Sequence, residues 1–350
     1  MKLSIPVAVV RRFDNNGNFI GNFTSGGPEL DGPAAIQFGP DGNLYVLTGS
    51  DTVLRYNGTT GDFIDVFIPT NSNGLTDAKD MIFGPDGNLY LANNQNPANS
   101  IGEGGEVLRF NGSTGAFIGS FISNGAGQAP TTNTDTVCEA MSMAFGPDGL
   151  FYLGNDPRDC SGATNYNVMR FNGTTGAYVD TPFAPNSMGL YDPNGMTIGP
   201  DGNLYISSEG ISFTNEGFGA DNPNVIYRLN LTTGAISEFV PSNDLLSDNG
   251  PFPAGTGLIE PEKIVFGPDG NLYVTSGDTA EVYRYNGRTG ALIGVFVQQG
   301  LGADSTDPKG ITFFPNLTPA PAINQWGLIL MAGFLGVIGF FAIRKRKEIG

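Results

Sequence analysis

The sequence predicts an all-β fold: a six-bladed β-propeller of four-stranded blades, with five or seven blades as the alternatives, its ring closed by the two ends of the chain, followed by one C-terminal transmembrane helix. Three observations carry this. The string Phe-Gly-Pro-Asp-Gly-Asn-Leu-Tyr-Val at 38–46 returns in near-copies from Phe83, Phe145, Ile198 and Phe266. A second string, of the type Val-Leu-Arg-Tyr-Asn-Gly-Thr-Thr-Gly, follows each copy, from 53, 107, 168, 226 and 282. The composition suits strands and tight turns, with 52 Gly and 24 Pro in 350 residues and apolar runs filled by Val, Ile, Thr, Phe and Tyr.

Each unit holds four apolar runs, a to d. In the first they are AAIQF, NLYVL, TVLRYN and DFIDVF. Four short antiparallel strands repeated in tandem are the signature of a propeller. The units span about 33–69, 77–122, 138–184, 192–240 and 260–297, blades 1 to 5. A sixth is split: 308–316 supplies strand a and 7–24 supplies strands c and d, so that the ring closes without exposed edges. Residues 1–316 are thus the propeller, 317–325 a Pro/Ala linker and 326–350 a tail. The split blade has no visible strand b, and MKLSIPVAVVRR has no small-residue cleavage site. The expectation is that the first Met is internal to a longer secreted precursor.

Strands a and b join through Gly-Pro-Asp-Gly. Pro40 sets φ for the second turn position and Gly42 takes the left-handed one. The Asn-Gly-Thr-Thr-Gly turn between c and d works the same way through Gly61. Its sequon, Asn57-Gly58-Thr59, reads first as turn chemistry and second as a glycosylation site. Tyr45, Tyr90, Tyr152, Tyr205 and Tyr273 read as packing between blades, with a ligand role as the alternative.

The a–b and c–d turns keep their length. The b–c connections do not: Tyr45 to Arg55 is 10 residues, while Tyr205 to Arg228 is 23. The d–a connections also swell. Both lie on one end of each blade, so insertions confined there mark the binding face. Acidic residues gather on that face. Six residues before the end of strand a stand Asp77, Glu139, Asp192, Glu260 and Asp307, with Gly32 in blade 1. They read either as an acidic ring at the channel mouth or as acceptors of backbone N–H groups at strand starts. Cys138 and Cys160 fall on the same face of blade 3, as a disulfide or as two free thiols.

The net charge is −17 and there is no His. The field repels nucleic acid, so no nucleic-acid partner is expected. Without His there is no imidazole base, nucleophile pair or imidazole metal ligand. A bound Ca²⁺ or other divalent cation would rest on oxygen ligands.

The strings DPNGMTIGPDGNLYISS (192–208) and EPEKIVFGPDGNLYVTS (260–276) resemble NHL repeats and the gluconolactonase/SMP-30 group of six-bladed propellers. The resemblance spans about 7–316. It implies a divalent cation at the channel mouth, held near the start of strand a by an Asn, matched here by Asn194, and by an Asp, replaced here by Glu262. The group's Glu would fall at Ala34, close to Asp31. The remaining equivalent positions are Lys79, Met141 and Lys309, so the set departs from a cation cage. The first expectation is therefore a surface-displayed or secreted propeller that binds a glycan or protein, or serves as a structural scaffold, without catalysis. The alternative is a metal-dependent lactonase or hydrolase using Asp192, Asn194, Glu260 and Glu262.

Gly327 to Ile343 is an uncharged apolar run of 17 residues, with Trp326 at one end and Arg344, Lys345, Arg346 and Lys347 at the other. This predicts a membrane span over 327–343 with its basic end in the cytoplasm. Pro321, Trp326 and Gly327 resemble the IPTLxxWG-type sorting signals related to PEP-CTERM. That resemblance implies an exosortase-like processing protease as partner, a Gram-negative source, and release to the cell surface or beyond.

Overall fold

The computed structural model describes residues 9–94, 104–123, 137–156, 166–183, 189–209, 224–241, 258, 260–277, 279–300 and 308–314. By their contacts the residues divide into two units, Met1–Phe314 and Pro315–Gly350. The second, with the expected span and Pro321, Trp326, Gly327, Arg344, Lys345, Arg346 and Lys347, lies outside the described residues. Among those described, no helix is long and apolar enough to cross a membrane.

The first unit is a β-propeller. The first sheet pairs β1 (Arg11–Phe13) with β2 (Phe19–Asn22). Blade 1 is β3 (Ala35–Phe38), β4 (Leu44–Leu47), β5 (Val53–Tyr56) and β6 (Phe63–Ile68). Blade 2 is β7 (Asp80–Phe83), β8 (Leu89–Asn94), β9 (Gly105–Phe110) and β10 (Phe117–Ile122). Blade 3 is β11 (Glu139–Phe145), β12 (Leu150–Asp156), β13 (Asn167–Asn172) and β14 (Tyr178–Phe183). Blade 4 is β15 (Met196–Ile198), β16 (Leu204–Ser208), β17 (Val225–Leu229) and β18 (Ile236–Val240). Blade 5 is β19 (Pro261–Phe266), β20 (Leu272–Ser276), β21 (Glu281–Tyr285) and β22 (Leu292–Val297). Each is an antiparallel a-b-c-d meander.

The structure thus holds five four-stranded blades where six were expected. At the sixth position stands the β1–β2 ribbon. Residues 308–314 form no strand: they lie beside β3, with Gly310 against Ile36, but no ladder pairs them with a described strand. Their packing still follows the repeat: the Phe313 ring lies 4.8 Å from that of Tyr273, as Phe83 lies 4.9 Å from Tyr45. Phe314 packs its ring on Phe23 and Phe38, at 5.2 and 5.3 Å, and is still 46% exposed.

The repeated strings explain the joints. Tyr45 is fully buried between Phe67 of its own blade and Phe83 of the next, both ring pairs T-shaped at 4.9 Å. Such a pair adds about 1 kcal/mol beyond its buried area. The Tyr45 hydroxyl donates to Asp41 Oδ2 at 3.1 Å, and Asp41 Oδ1 accepts Asn43 N–H at 3.0 Å. Asp86, Asp148, Asp201 and Asp269 repeat the tyrosine bond. The aspartate of the repeat is therefore a tyrosine anchor within a hairpin, and burial pushes the Tyr45 phenol up to about 12. Between strands c and d, Asn57 Oδ1 accepts the N–H groups of Thr59 and Thr60 at 2.9 Å. Gly61, at φ +79°, lays that turn on the preceding blade, where an added Cβ would lie 1.8 Å from Phe23 O.

Candidate functional site at the channel mouth

Strand b supplies the rigid inner wall: Leu44, Tyr45, Val46 and Leu47 are at most 1% exposed. Strand a lines the channel, and the segment just before it reaches the mouth. There the acidic position has a backbone cause. Gly32, Asp77, Asp192 and Glu260 have φ of +49°, +49°, +42° and +50°. Glycine takes this left-handed conformation freely and Asp tolerates it, whereas for Glu it is costly. The blade-3 residue differs: Glu139 opens β11 in extended register opposite Asp156. At the start of blade 2 it is Asp51 that accepts the backbone N–H groups of Asp77 and Ala78, at 2.9 and 2.8 Å.

The predicted residues separate into two sectors. In blades 2 and 3, Lys79 Nζ lies 2.9 Å from Asp77 Oδ1 and 3.5 Å from Glu139 Oε1. Asn94 donates to Glu139 at 3.3 Å and accepts Ala140 N–H at 2.7 Å. In blades 4 and 5, Asp192, Asn194 and Glu262 are each 8% exposed. Asn194 Nδ2 donates to Glu209 Oε2, and Lys309 Nζ to Glu262 Oε1. Asp307, next to this sector in sequence, lies outside the described residues, as does Cys160. Cys138 is disulfide-bonded.

Glu209 is the residue that sequence reasoning missed. Burial above all, and then the negative charges of Asp192, Glu262 and Glu260, push its carboxyl up to about 8, against the opposing Lys309. It is therefore mostly a neutral acid at pH 7. The signal was available: Glu209 stands four residues after Tyr205, at the end of strand b. Asn94 and Asp156 hold the same place after Tyr90 and Tyr152.

The channel itself is crossed by a lysine. Lys263 of blade 5 donates to Asn194 O at 2.8 Å and lies 3.4 Å from Asp80 Oδ1 of blade 2. Asp80 Oδ2 in turn accepts Met143 N–H of blade 3 at 2.9 Å. The residues do not fit a divalent cation. Where a cation site needs several oxygens free to converge, the Glu262 carboxylate is already engaged by the Lys309 ammonium, and Asn194, held through Nδ2 by Glu209, could offer Oδ1 alone. A third ammonium, Lys79, stands at the equivalent place in blade 2. Hard cations require six to eight oxygen ligands, and these ammonium groups repel them. Among the described residues, no group of three or more Cys, Asp or Glu is placed to hold a metal.

The class of protein these features define is an all-β propeller with an acidic, lysine-crossed mouth. In fold the chain is similar to one in a nidogen/laminin complex, with TM-score 0.56 and 13% identity over 84% of this chain and 93% of that one. It is also similar to a gluconolactonase from Xanthomonas campestris, with TM-score 0.51 and 15% identity over 81% and 78%. A third likeness, at TM-score 0.50, is to the hydrazine synthase of Kuenenia stuttgartiensis, 16% identical over 77% and 67%. At these identities the likeness shows the fold alone. No family profile and no curated protein matches the chain.

Proposed function

We propose that the chain is a binding propeller, displayed outside the cytoplasm, that holds a glycan or protein ligand on its long-loop face and catalyses no reaction. The fold decides nothing here, since the similar structures include both a gluconolactonase and a chain of a nidogen/laminin complex. What supports the reading is the placement of Lys263 and Lys309, whose ammonium groups meet Asn194 O and Glu262 where the alternative needs a cation. A mouth whose carboxylates are already bridged by the chain's own lysines suits recognition of polar, hydroxyl-rich or amide surfaces through Asp192, Asn194 and Glu209. The tail supports display only through its sequence: Trp326, the apolar 327–343 and the basic Arg344–Lys347, with an exosortase-like protease as partner.

One observation favours catalysis instead. Glu209, raised to about 8, is poised for proton transfer near neutral pH. Screening the full chain on glycan and protein arrays, beside a panel of lactones and esters, separates the readings. The binding reading expects a retained ligand whose affinity falls about tenfold in Glu209→Gln, and no turnover. Turnover that Glu209→Gln abolishes would establish the hydrolase reading in its place.

A further inference from the structure

The joints between blades repeat three contacts on the turn face, and one joint lacks all three. Tyr90, Tyr205 and Tyr273 are each held, like Tyr45, between a Phe of strand d and a Phe at the next strand-a position, for Tyr273 the Phe313 of the unpaired 308–314 segment. Between blades 3 and 4 both are replaced. The ladder pairs Val53–Ile68 and Val168–Phe183 place Pro182 where Phe67 stands, and Ile198 stands where Phe83 does. No described ring packs on Tyr152, which belongs instead to an apolar cluster with Leu204, Ile206 and Leu229 of blade 4, with Ile198 and Leu231 packed against it.

The c–d turn of blade 4 is altered too. Leu231 stands where Gly58 stands in blade 1, and a Cβ there would come 1.7 Å from Gly42 O. Leucine at this place crowds the a–b turn of its own blade, although its N–H still meets Asn203 Oδ1 at 3.2 Å, as Gly58 N–H meets Asn43 Oδ1 at 3.4 Å. Independently, nothing described lies within 4 Å of a Cβ built on Gly234. At Gly17, Gly61, Gly115, Gly176 and Gly290, the same Cβ falls 1.7 to 2.2 Å from a carbonyl oxygen of the preceding blade.

The mouth side of this joint is braced. Phe183 packs on Tyr227 at 5.2 Å, Tyr166 on Tyr191 at 4.2 Å, and Ser142 Oγ donates to Pro193 O at 2.5 Å. We infer that the joint between blades 3 and 4 is the yielding joint of the ring, pivoting on its mouth-side contacts and opening on the turn face, with the Asp80–Lys263 ion pair as the tie across it. Blade 2 and blade 5 lie on opposite sides of that joint, so opening it stretches the pair. Local opening of this kind is drawn from places with few buried contacts, here the missing ring pairs and the unseated turn on the turn face alone.

Hydrogen exchange of the full chain, read by mass spectrometry, tests this. The amides of Leu231–Gly234 and β14 exchange about tenfold faster than those of the equivalent turns. Asp80→Asn, which keeps an acceptor for Met143 N–H, speeds exchange at this joint and leaves the Asn57–Gly61 turn unchanged. The double repair Leu231→Gly with Ile198→Phe slows it to the level of the other joints. Uniform exchange across all the turns would overturn the inference, and so would an Asp80→Asn effect spread equally around the ring. A repair variant that folds without slowing exchange counts against it equally. If the repair does not fold, the wild-type profile decides.

Discussion

Replacing Glu209 by Gln is expected to stabilise the protein, and by more as the pH rises. In the folded chain the carboxyl is pushed from 4.5 up to about 8 by burial and by the charges of Asp192, Glu262 and Glu260. A group whose folded value is raised favours folding fully below about pH 4.5 and loses that contribution as pH rises towards about 8. Over this window the slope is one proton, about 1.4 kcal/mol per pH unit. By pH 7 the wild type has lost roughly 3 kcal/mol at most, since residual hydration lowers the figure. Gln keeps an acceptor for Asn194 Nδ2 and carries no charge, so the loss is absent in the variant. For a chain of this size, 1 kcal/mol moves Tm by about 2 °C, hence about 6 °C at pH 7. Thermal melts of both proteins from pH 4.5 to 8.5 give the difference directly. It grows with pH and vanishes near pH 4.5. A difference that stays flat across that range would refute the reasoning, because Glu209 would then titrate as an ordinary exposed carboxylate.

Other outcomes follow from single contacts. Lys263→Met leaves Asp80 in the channel without its partner and costs about 3 kcal/mol in chemical denaturation, as for a broken buried pair; Asp80→Asn costs less because the Met143 N–H bond survives. Glu260→Gly relieves the left-handed backbone at φ +50° and raises stability by up to about 1 kcal/mol, whereas Glu260→Ala does not. Gly61→Ala puts a methyl group against Phe23 O and lowers Tm by several degrees, on the order of 2 kcal/mol or more. Tyr45→Phe removes the bond to Asp41 while keeping both ring pairs, and costs about 1 kcal/mol.

The blades were legible in the sequence because their signals are local. Gly42 and Gly61 need positive φ, Asn57 caps its own turn, and Tyr45 recurs in register, so each copy states the same geometry again. Closure was not legible in the same way. PKGITFF reads as a strand by composition, but a strand exists only through its ladder, and no ladder pairs 308–314 with a described strand. The mouth was half legible. Counting back from strand a found Asp192, Glu260 and, by resemblance, Asn194 and Glu262, and the structure brings these four together around Glu209. The same count found Asp77 and Glu139, which belong instead with Lys79. That count follows chain position, whereas Glu209 reaches the mouth from strand b. The partners of Lys263 could not be read either, because Asp80 stands 183 residues away and only ring closure brings it near.

The central claim is that ammonium groups from the chain itself occupy the channel mouth in place of a cation. Calorimetric titration of Ca²⁺ into the full-length wild type, with Asn194→Ala and Glu262→Ala alongside, tests it most directly. The account predicts no saturable binding at the mouth, and identical traces for the three proteins. Saturable binding in the wild type that either substitution removes would contradict it.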